Sequence, residues 1–332
     1  MSWYRTSGSF GAVALVAASA LLSACGGGGG SSGSTASAAA SNQLKLSTAV
    51  QSEPVARYAA AFSILSGPGV AAIYTSVVQS LVSGVTSSAA STTTVCPGGG
   101  SIGVATQNAG SSGLQAGETA TVGFNQCVGQ VTAPGVSSTD AVAGSVTVQV
   151  QSAQGVVGDK SNNWSYTAVE STSGLTLTSS SGTTTVNGTV TFTMSYDAAT
   201  GVTTTTATAP TVTLDVAHVL SSGSVTGTMT VTALNYSRVH GVDPSSDTVT
   251  TSGALSVQAS DAVIAFDFAT PTPVMISGSD LQSGVIQLTG DSTVETITVA
   301  SPTTVGISVT ANGQTGTYTE TVDSLRQLTG DN

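Results

Sequence analysis

The sequence predicts a mainly β protein in which a large antiparallel sheet, curved or closed into a barrel, packs against an N-terminal helical hairpin. Three observations lead to this expectation. Beyond residue 96, apolar and polar residues alternate in several segments, which is the period of a half-buried strand. A glycine-containing motif recurs in the same region. Between residues 70 and 85, apolar residues instead recur at three- and four-residue steps, which is the period of one helix face.

The chain begins with a short apolar segment that is typical of a signal peptide. Arg5 precedes the apolar run 10–22, which is too short for the roughly 20 apolar residues that span a bilayer. The run ends in Leu22-Ser23-Ala24-Cys25. This tetrapeptide resembles the lipobox of bacterial lipoproteins, in which a branched apolar residue and two small residues precede a cysteine.

The resemblance implies a lipid anchor at Cys25. In lipoproteins with this motif the leader is cut before the cysteine, whose thiol receives a diacylglycerol and whose new amino group is acylated. Several acyl chains would hold the protein permanently, since each buried methylene contributes about 0.8 kcal/mol. Gly26 stands where inner-membrane lipoproteins usually carry aspartate, so the resemblance implies the outer membrane of a Gram-negative envelope, in either leaflet. An ordinary secretory leader with an incidental cysteine is the alternative.

Four regions are expected along the chain. Residues 1–24 form the signal peptide, 25–43 the acylated cysteine with a flexible Gly/Ser linker, 44–95 the helical hairpin and 96–332 the antiparallel β-domain. The hairpin helices are predicted over about 53–66 and 69–83. The second helix is uncharged and is therefore expected to be covered on most sides. A second membrane anchor is an alternative that its length and polarity disfavour.

The β-domain is predicted from alternation and from turn residues. Its predicted strands are 190–196, 212–216, 225–231, 249–257, 285–288, 294–299, 305–309 and 317–322. Asp197-Ala198-Ala199-Thr200-Gly201 has the composition of a hairpin turn that ends in a glycine of positive φ. Near residues 259–262 the alternation changes phase, which predicts a turn or a bulge.

A repeated motif suggests how the strands associate. It consists of an apolar residue, a gap, glycine, a hydroxyl residue and an apolar-Thr-apolar triplet, around Gly144, Gly188 and Gly227, with a looser copy at Gly253. The spacing between copies drifts, which excludes a tight solenoid and suits hairpins added successively to one sheet. Glycine inside a strand often allows a bulge, so these glycines are predicted to curve the sheet.

Two cysteines remain after Cys25. Cys96 and Cys127 are an even pair in an exported chain, and we expect them to form a disulfide that stabilises the fold by roughly 3 to 4 kcal/mol. Two distant thiols without a nearby histidine lack a metal-ligand set, so no metal or other cofactor is expected.

Composition restricts the partners. Six basic residues face 17 acidic ones, which gives a net charge of −11 and repels nucleic-acid phosphates. Charged residues make up only 7% of the chain, far below the usual quarter. We therefore expect no nucleic-acid partner and a polar but mostly uncharged surface.

Candidate catalytic residues are scarce. His218 shares the parity of the apolar residues in 212–216 and is predicted to be a core histidine. His240 lies in a turn-like segment, where it could bind a cation together with Asp243 and Asp247, although a solvated loop is the simpler interpretation. No phosphate-binding loop, dinucleotide-binding motif, nucleophile elbow or HExxH zinc motif occurs. The protein is therefore not expected to be an enzyme.

The sequence thus predicts a membrane-anchored, non-enzymatic lipoprotein with a structural, adhesive or protein-binding role. The alternative is a periplasmic carrier of a hydrophobic ligand such as a lipid, by analogy of fold with half-barrel lipoprotein chaperones. Besides the membrane, the expected partner is a protein or a hydrophobic ligand. Thr-rich strand faces can also bind ice, but the irregular spacing disfavours that function. A cavity lined by apolar residues would favour the carrier, and an exposed strand edge the binding protein.

Overall fold

A computed structural model describes residues 91–108, 114–131, 139–180, 182–220, 223–241, 246–259, 263–277 and 280–328. The predicted signal peptide, the linker and the two predicted hairpin helices (53–66 and 69–83) lie outside these residues. The elements are β1 (Ser91–Val95), β2 (Ser101–Gln107), β3 (Thr119–Val128), β4 (Ala141–Gln154), β5 (Trp164–Ser179), β6 (Gly182–Asp197), β7 (Val202–Leu220), β8 (Gly223–His240), β9 (Ser246–Ala259), β10 (Val263–Ser277), β11 (Asp280–Gly290), β12 (Thr293–Ser301), β13 (Thr304–Ala311), β14 (Gln314–Thr321) and α1 (Val322–Leu328).

All the strands belong to one sheet, whose order in space is their order in the sequence. Every pairing is antiparallel, so the predicted mainly β, antiparallel class is confirmed. The 14-stranded sheet is open, because β1 and β14 are its two edges and do not pair with each other. The closed barrel offered as one alternative is therefore not the observed arrangement. The sheet begins at Ser91, five residues before the predicted start of the β-domain.

The predicted alternation determines which side of the sheet is buried. In β6, Val190 and Phe192 are fully buried, while Thr191 and Thr193 are only partly covered. In β8 the same pattern buries Met229 and Val231. The apolar residues of one face form a continuous core that reaches from β2 to α1. We call this apolar side the inner face and the opposite side the outer face.

Three of the four repeated glycines lie at irregularities of the sheet, and Gly253 is one of them, opposite the shift in β8 between Thr232 and Asn235. Gly144 (φ +107°) and Gly188 (φ +149°) both lie at shifts in strand register. A Cβ on Gly188 would lie 2.9 Å from the carbonyl oxygen of Thr211, so the neighbouring backbone leaves no room for a side chain. Gly227 instead pairs with Val216 and Ala259 at positions without a shift, so the motif glycine of β8 is not accompanied by a bulge.

Prolines lie at the same kind of irregularity. Pro210 occupies the shifted segment of β7, and Pro271 and Pro273 occupy that of β10. Proline cannot donate a backbone hydrogen bond, so inside a sheet it is confined to bulges and edges. The shifts therefore explain how two central strands accommodate proline.

The turn after β6 contains the residues that its backbone geometry requires. Gly201 has a φ of +70° and donates its N–H to the carbonyl of Asp197 at 2.7 Å, which confirms the predicted turn. Hydrogen bonds from Thr200 and Ala199 lower the pKa of Asp197.

The predicted change of phase near residue 260 corresponds to the end of β9 at Ala259 and the start of β10 at Val263.

A short helix, which the sequence did not predict, follows the last strand. The N–H of Ser324 donates to Oγ1 of Thr321, which caps α1, and Val322 and Leu325 are buried in the core. The seven residues of α1 are too few for a periodic pattern to identify. Within the described part of the chain, no helix has the length and hydrophobicity to cross a membrane.

Candidate functional site

The predicted disulfide between Cys96 and Cys127 is confirmed. The two Cα atoms lie 5.5 Å apart, and both cysteines are buried. The loop after β1 is also tied to the end of β3, because Gly98 N–H donates to Val128 O and Val128 N–H donates to Gly99 O. The bridge therefore holds the first three strands together at one end of the sheet. The predicted lipidation site, Cys25, lies outside the described residues.

An ionic cluster lies at the paired end of β8 and β9, where β8 ends and β9 begins. Arg238 holds Asp247 in a bidentate pair, with Nε–Oδ1 and Nη2–Oδ2 distances of 2.7 and 2.8 Å. Nδ1 of His240 lies 2.9 Å from the same Oδ1. The side chain of Asp247 is only 8% exposed, so the arginine provides the compensation that a buried carboxylate needs.

This cluster differs from the predicted cation site. His240 is the last residue of β8, not part of a loop, and Asp243 lies outside the described residues. Both Asp247 oxygens accept from Arg238, whose positive charge would repel a bound cation. Among the described residues, no group of three or more His, Cys, Asp or Glu side chains could hold a metal ion. Sequence reasoning missed Arg238, although its two-residue spacing from His240 places both side chains on one face.

The backbone of His218 pairs with Gly182 and Val225, within β7. The side chain of His218 is not among those that the structure describes, so its predicted core position stays a prediction.

Three glutamates are fully buried, Glu118, Glu170 and Glu295, and the last two lie within strands on the inner face. Glu170 in β5 lies between Val148 and Val190 of the adjacent strands, and its carboxyl oxygens have no hydrogen-bond partner. Glu295 in β12 is equally buried and has no hydrogen-bond partner for either oxygen. Burial raises the pKa of both carboxyl groups well above the usual range. Sequence reasoning missed both residues, although their parity matches that of apolar neighbours.

Aromatic side chains line the inner face next to Glu170. The Trp164 ring stacks on Tyr196, with centroids 5.8 Å apart, and Tyr166 stacks on Phe192 at 6.2 Å. The hydroxyl of Tyr166 donates only to the sulfur of Met194, at 3.6 Å. Burial, and secondarily the charge of Glu170, raises the pKa of Tyr166. This layer fixes β5 against β6 on the inner side of the sheet.

The outer face has a different chemistry. One hydroxyl residue from each of five consecutive strands, β5 to β9, falls in a single register: Thr167, Thr193, Thr206, Ser237 and Thr250. Neighbouring strands are about 4.8 Å apart, so this row spans roughly 19 Å. The hydroxyls of Thr167 and Thr193 are hydrogen-bonded at 3.1 Å, and those of Ser171 and Thr189 at 2.9 Å. We call the outward side chains of β5–β9 the hydroxyl face.

Charge is nearly absent from the hydroxyl face. Among its described side chains, the charged residues are Asp197, at the end of β6, and Asp215, in β7. Oδ1 of Asp215 accepts from Oγ1 of Thr228 at 2.7 Å, and its Oδ2 accepts from Nδ2 of Asn187 at 3.3 Å. The surface thus carries few charges over five strands.

No protein family, curated protein or solved structure matches this chain. The hydroxyl face extends over five strands and differs in chemistry from the apolar inner face, and we take it as the candidate functional site.

Proposed function

We propose that this protein is a membrane-anchored, non-enzymatic exported lipoprotein that acts in binding, with a structural, adhesive or protein-binding role. The observation that carries the proposal is the hydroxyl face, an outward surface over five strands whose described charges are Asp197 and Asp215 alone. A charged content of about 25–35% is the usual design target for a soluble surface. A surface of this size with so few charges favours contact with another molecule.

The hydroxyl face is suited to being covered. Its threonine and serine side chains are short, so they lose less rotamer entropy on contact than lysine, arginine or glutamate would. A hydroxyl both donates and accepts, so it can meet either kind of polar group on a partner. Covering it also avoids the large cost of removing charges from water.

Two observations support export and anchoring. Leu22-Ser23-Ala24-Cys25 resembles a lipobox, and Cys96 and Cys127 form a buried disulfide, a bond that persists mainly outside the cytoplasm. The anchor would attach at Cys25, and the Gly/Ser linker would separate the sheet from the membrane.

In-cell photo-crosslinking tests this function. A photoreactive side chain replaces Thr208, an exposed residue of the hydroxyl face, in the full chain with Cys25 and in the Cys25→Ser variant. We expect a protein adduct of defined mass in the membrane fraction from the chain with Cys25, and its loss from that fraction in the variant. The control site is Ser161, an exposed residue between β4 and β5. The same adducts from both sites would contradict a role for the hydroxyl face.

A carrier function is the second candidate, and the inner face favours it. That face carries a continuous apolar core and the Glu170 and Glu295 carboxyl groups without hydrogen-bond partners, which donor groups of an amphiphile could satisfy. Native mass spectrometry with organic extraction, on the chain from Gly26 onward, separates the two functions. A reproducible bound lipid would establish the carrier. A bare mass, two hydrogens light for the disulfide, would leave the protein-binding role.

A further inference from the structure

The edge strand β14 lacks the features that usually prevent edge-to-edge association. Its eight residues pair with β13 without a bulge, and in the described part of the chain it has no other sheet partner. It contains no proline, and Glu320 is its one charged residue. Natural proteins commonly protect an edge with bulges, proline or lysine. Among the described strands, the prolines (Pro210, Pro271 and Pro273) and the register shifts lie in interior strands instead.

The turn before β14 determines which backbone groups point outward. Asn312 (φ +51°) and Gly313 (φ +76°) form a two-residue turn of the type I′ class, which makes Ala311 and Gln314 a hydrogen-bonded pair. Bonding alternates along an antiparallel ladder. The N–H and C=O groups of Thr315, Thr317 and Thr319 therefore point away from β13, toward the outer side of the edge.

The described residues after β14, 322–328, do not run along this edge. The N–H of Val322 donates at 2.9 Å to the carbonyl of Thr303, in the turn between β12 and β13. Leu325 is buried in the core. The helix α1 thus turns back toward the sheet interior, and this leaves the outer side of β14 accessible to a strand.

We propose that β14 pairs with β14 of a second copy of this chain, antiparallel and centred on Thr317. In this register Thr317 lies opposite its own equivalent, Thr315 opposite Thr319, and Tyr318 opposite Gly316. Three outward-bonding pairs form about six backbone hydrogen bonds, two per pair.

The side chains of β14 are self-complementary in this register. Threonines meet threonines on the outer face, a pairing that stabilises sheets through hydroxyl contacts. On the inner face each Tyr318 ring lies across a glycine, an arrangement that compensates for the missing side chain at Gly316. Glu320 lies opposite the amide of Gln314, so no like charges meet although the chain carries a net charge of −11.

Thr317 lies on the two-fold axis of the proposed dimer, and charged residues introduced there test the pairing. The chain from Gly26 onward is measured by analytical ultracentrifugation, and we expect twice the chain mass at tens of micromolar. Thr317→Lys and Thr317→Glu should each give a monomer, because like charges would then lie directly opposite each other. Mixing the two variants in equal amounts should restore the dimer mass.

The controls separate pairing from folding. Thr298→Lys, on the exposed outer side of β12, should leave the dimer unchanged, and circular dichroism should show an unchanged fold for every variant. A monomeric parent chain, or a Thr317→Lys variant that still forms dimers, would overturn the proposal. Open-ended assemblies would overturn it as well, because they would indicate that β14 pairs with β1 of the next copy.

Discussion

At the residue scale, the least expected feature is the pair of glutamates buried on the inner face. Their position could be predicted from the sequence, because Glu170 has the parity of Tyr166 and Ala168, which are buried in β5. Their lack of hydrogen-bond partners could not be predicted from the sequence, because it depends on which side chains the neighbouring strands place nearby. The same distinction applies to Arg238, whose partner Asp247 comes from the adjacent strand.

Replacing Glu295 with leucine should stabilise the protein. Leaving a buried polar group unsatisfied costs about 1–3 kcal/mol, and Glu295→Leu removes that cost while keeping a similar volume. We expect an increase of this size in the free energy of unfolding at pH 7, measured with urea. Asp291→Asn, in the exposed turn before β12, is the control and should change stability little.

The gain in unfolding free energy from Glu295→Leu should grow with pH. Burial raises the folded-state pKa of Glu170 and Glu295, so the folded chain holds these protons more tightly than the unfolded chain. Their contribution to stability is fully present below the unfolded pKa of about 4.3 and is lost as the pH rises toward the folded pKa. The difference between parent and Glu295→Leu should therefore be larger at pH 8 than at pH 4. An equal difference at both pH values would contradict this explanation.

At the scale of elements, the alternation predicted strands well and irregularities less well. Strand positions in β6, β7 and β8 follow from residue parity, because one face is buried and the other is not. Bulges depend on how two strands shift against each other, and the presence of a motif glycine does not by itself predict such a shift. Gly188 lies at a shift, whereas Gly227, in the same motif, does not.

Alanine substitution should distinguish these two glycines. Gly188→Ala would place a side chain at φ +149° and 2.9 Å from the Thr211 carbonyl oxygen. Backbone strain of this kind costs about 1–3 kcal/mol, and we expect a loss of that size in unfolding free energy. Gly227→Ala should be close to neutral, because its backbone pairs in regular register. Equal losses in both variants, in urea titrations, would argue against strain as the cause.

At the scale of the whole molecule, the sequence predicted one large antiparallel sheet but not whether it closes. The drifting repeat indicates successive hairpins, and the observed strand order agrees. Closure depends on one pairing between the first and last strands, which lie more than 200 residues apart in the chain. Local patterns contain no information about that contact. The hydroxyl face was missed for a similar reason, since its row needs the register of five strands.

The sequential strand order also affects how the chain can acquire its structure. Each strand pairs only with the strands immediately before and after it, so forming each hairpin closes a short loop at a small entropic cost. Sheets dominated by such local contacts fold faster than those that need distant segments to meet first. If the chain is exported as we propose, it could therefore add strands one at a time as it leaves the channel from its N-terminus, with each completed strand serving as the template for the next.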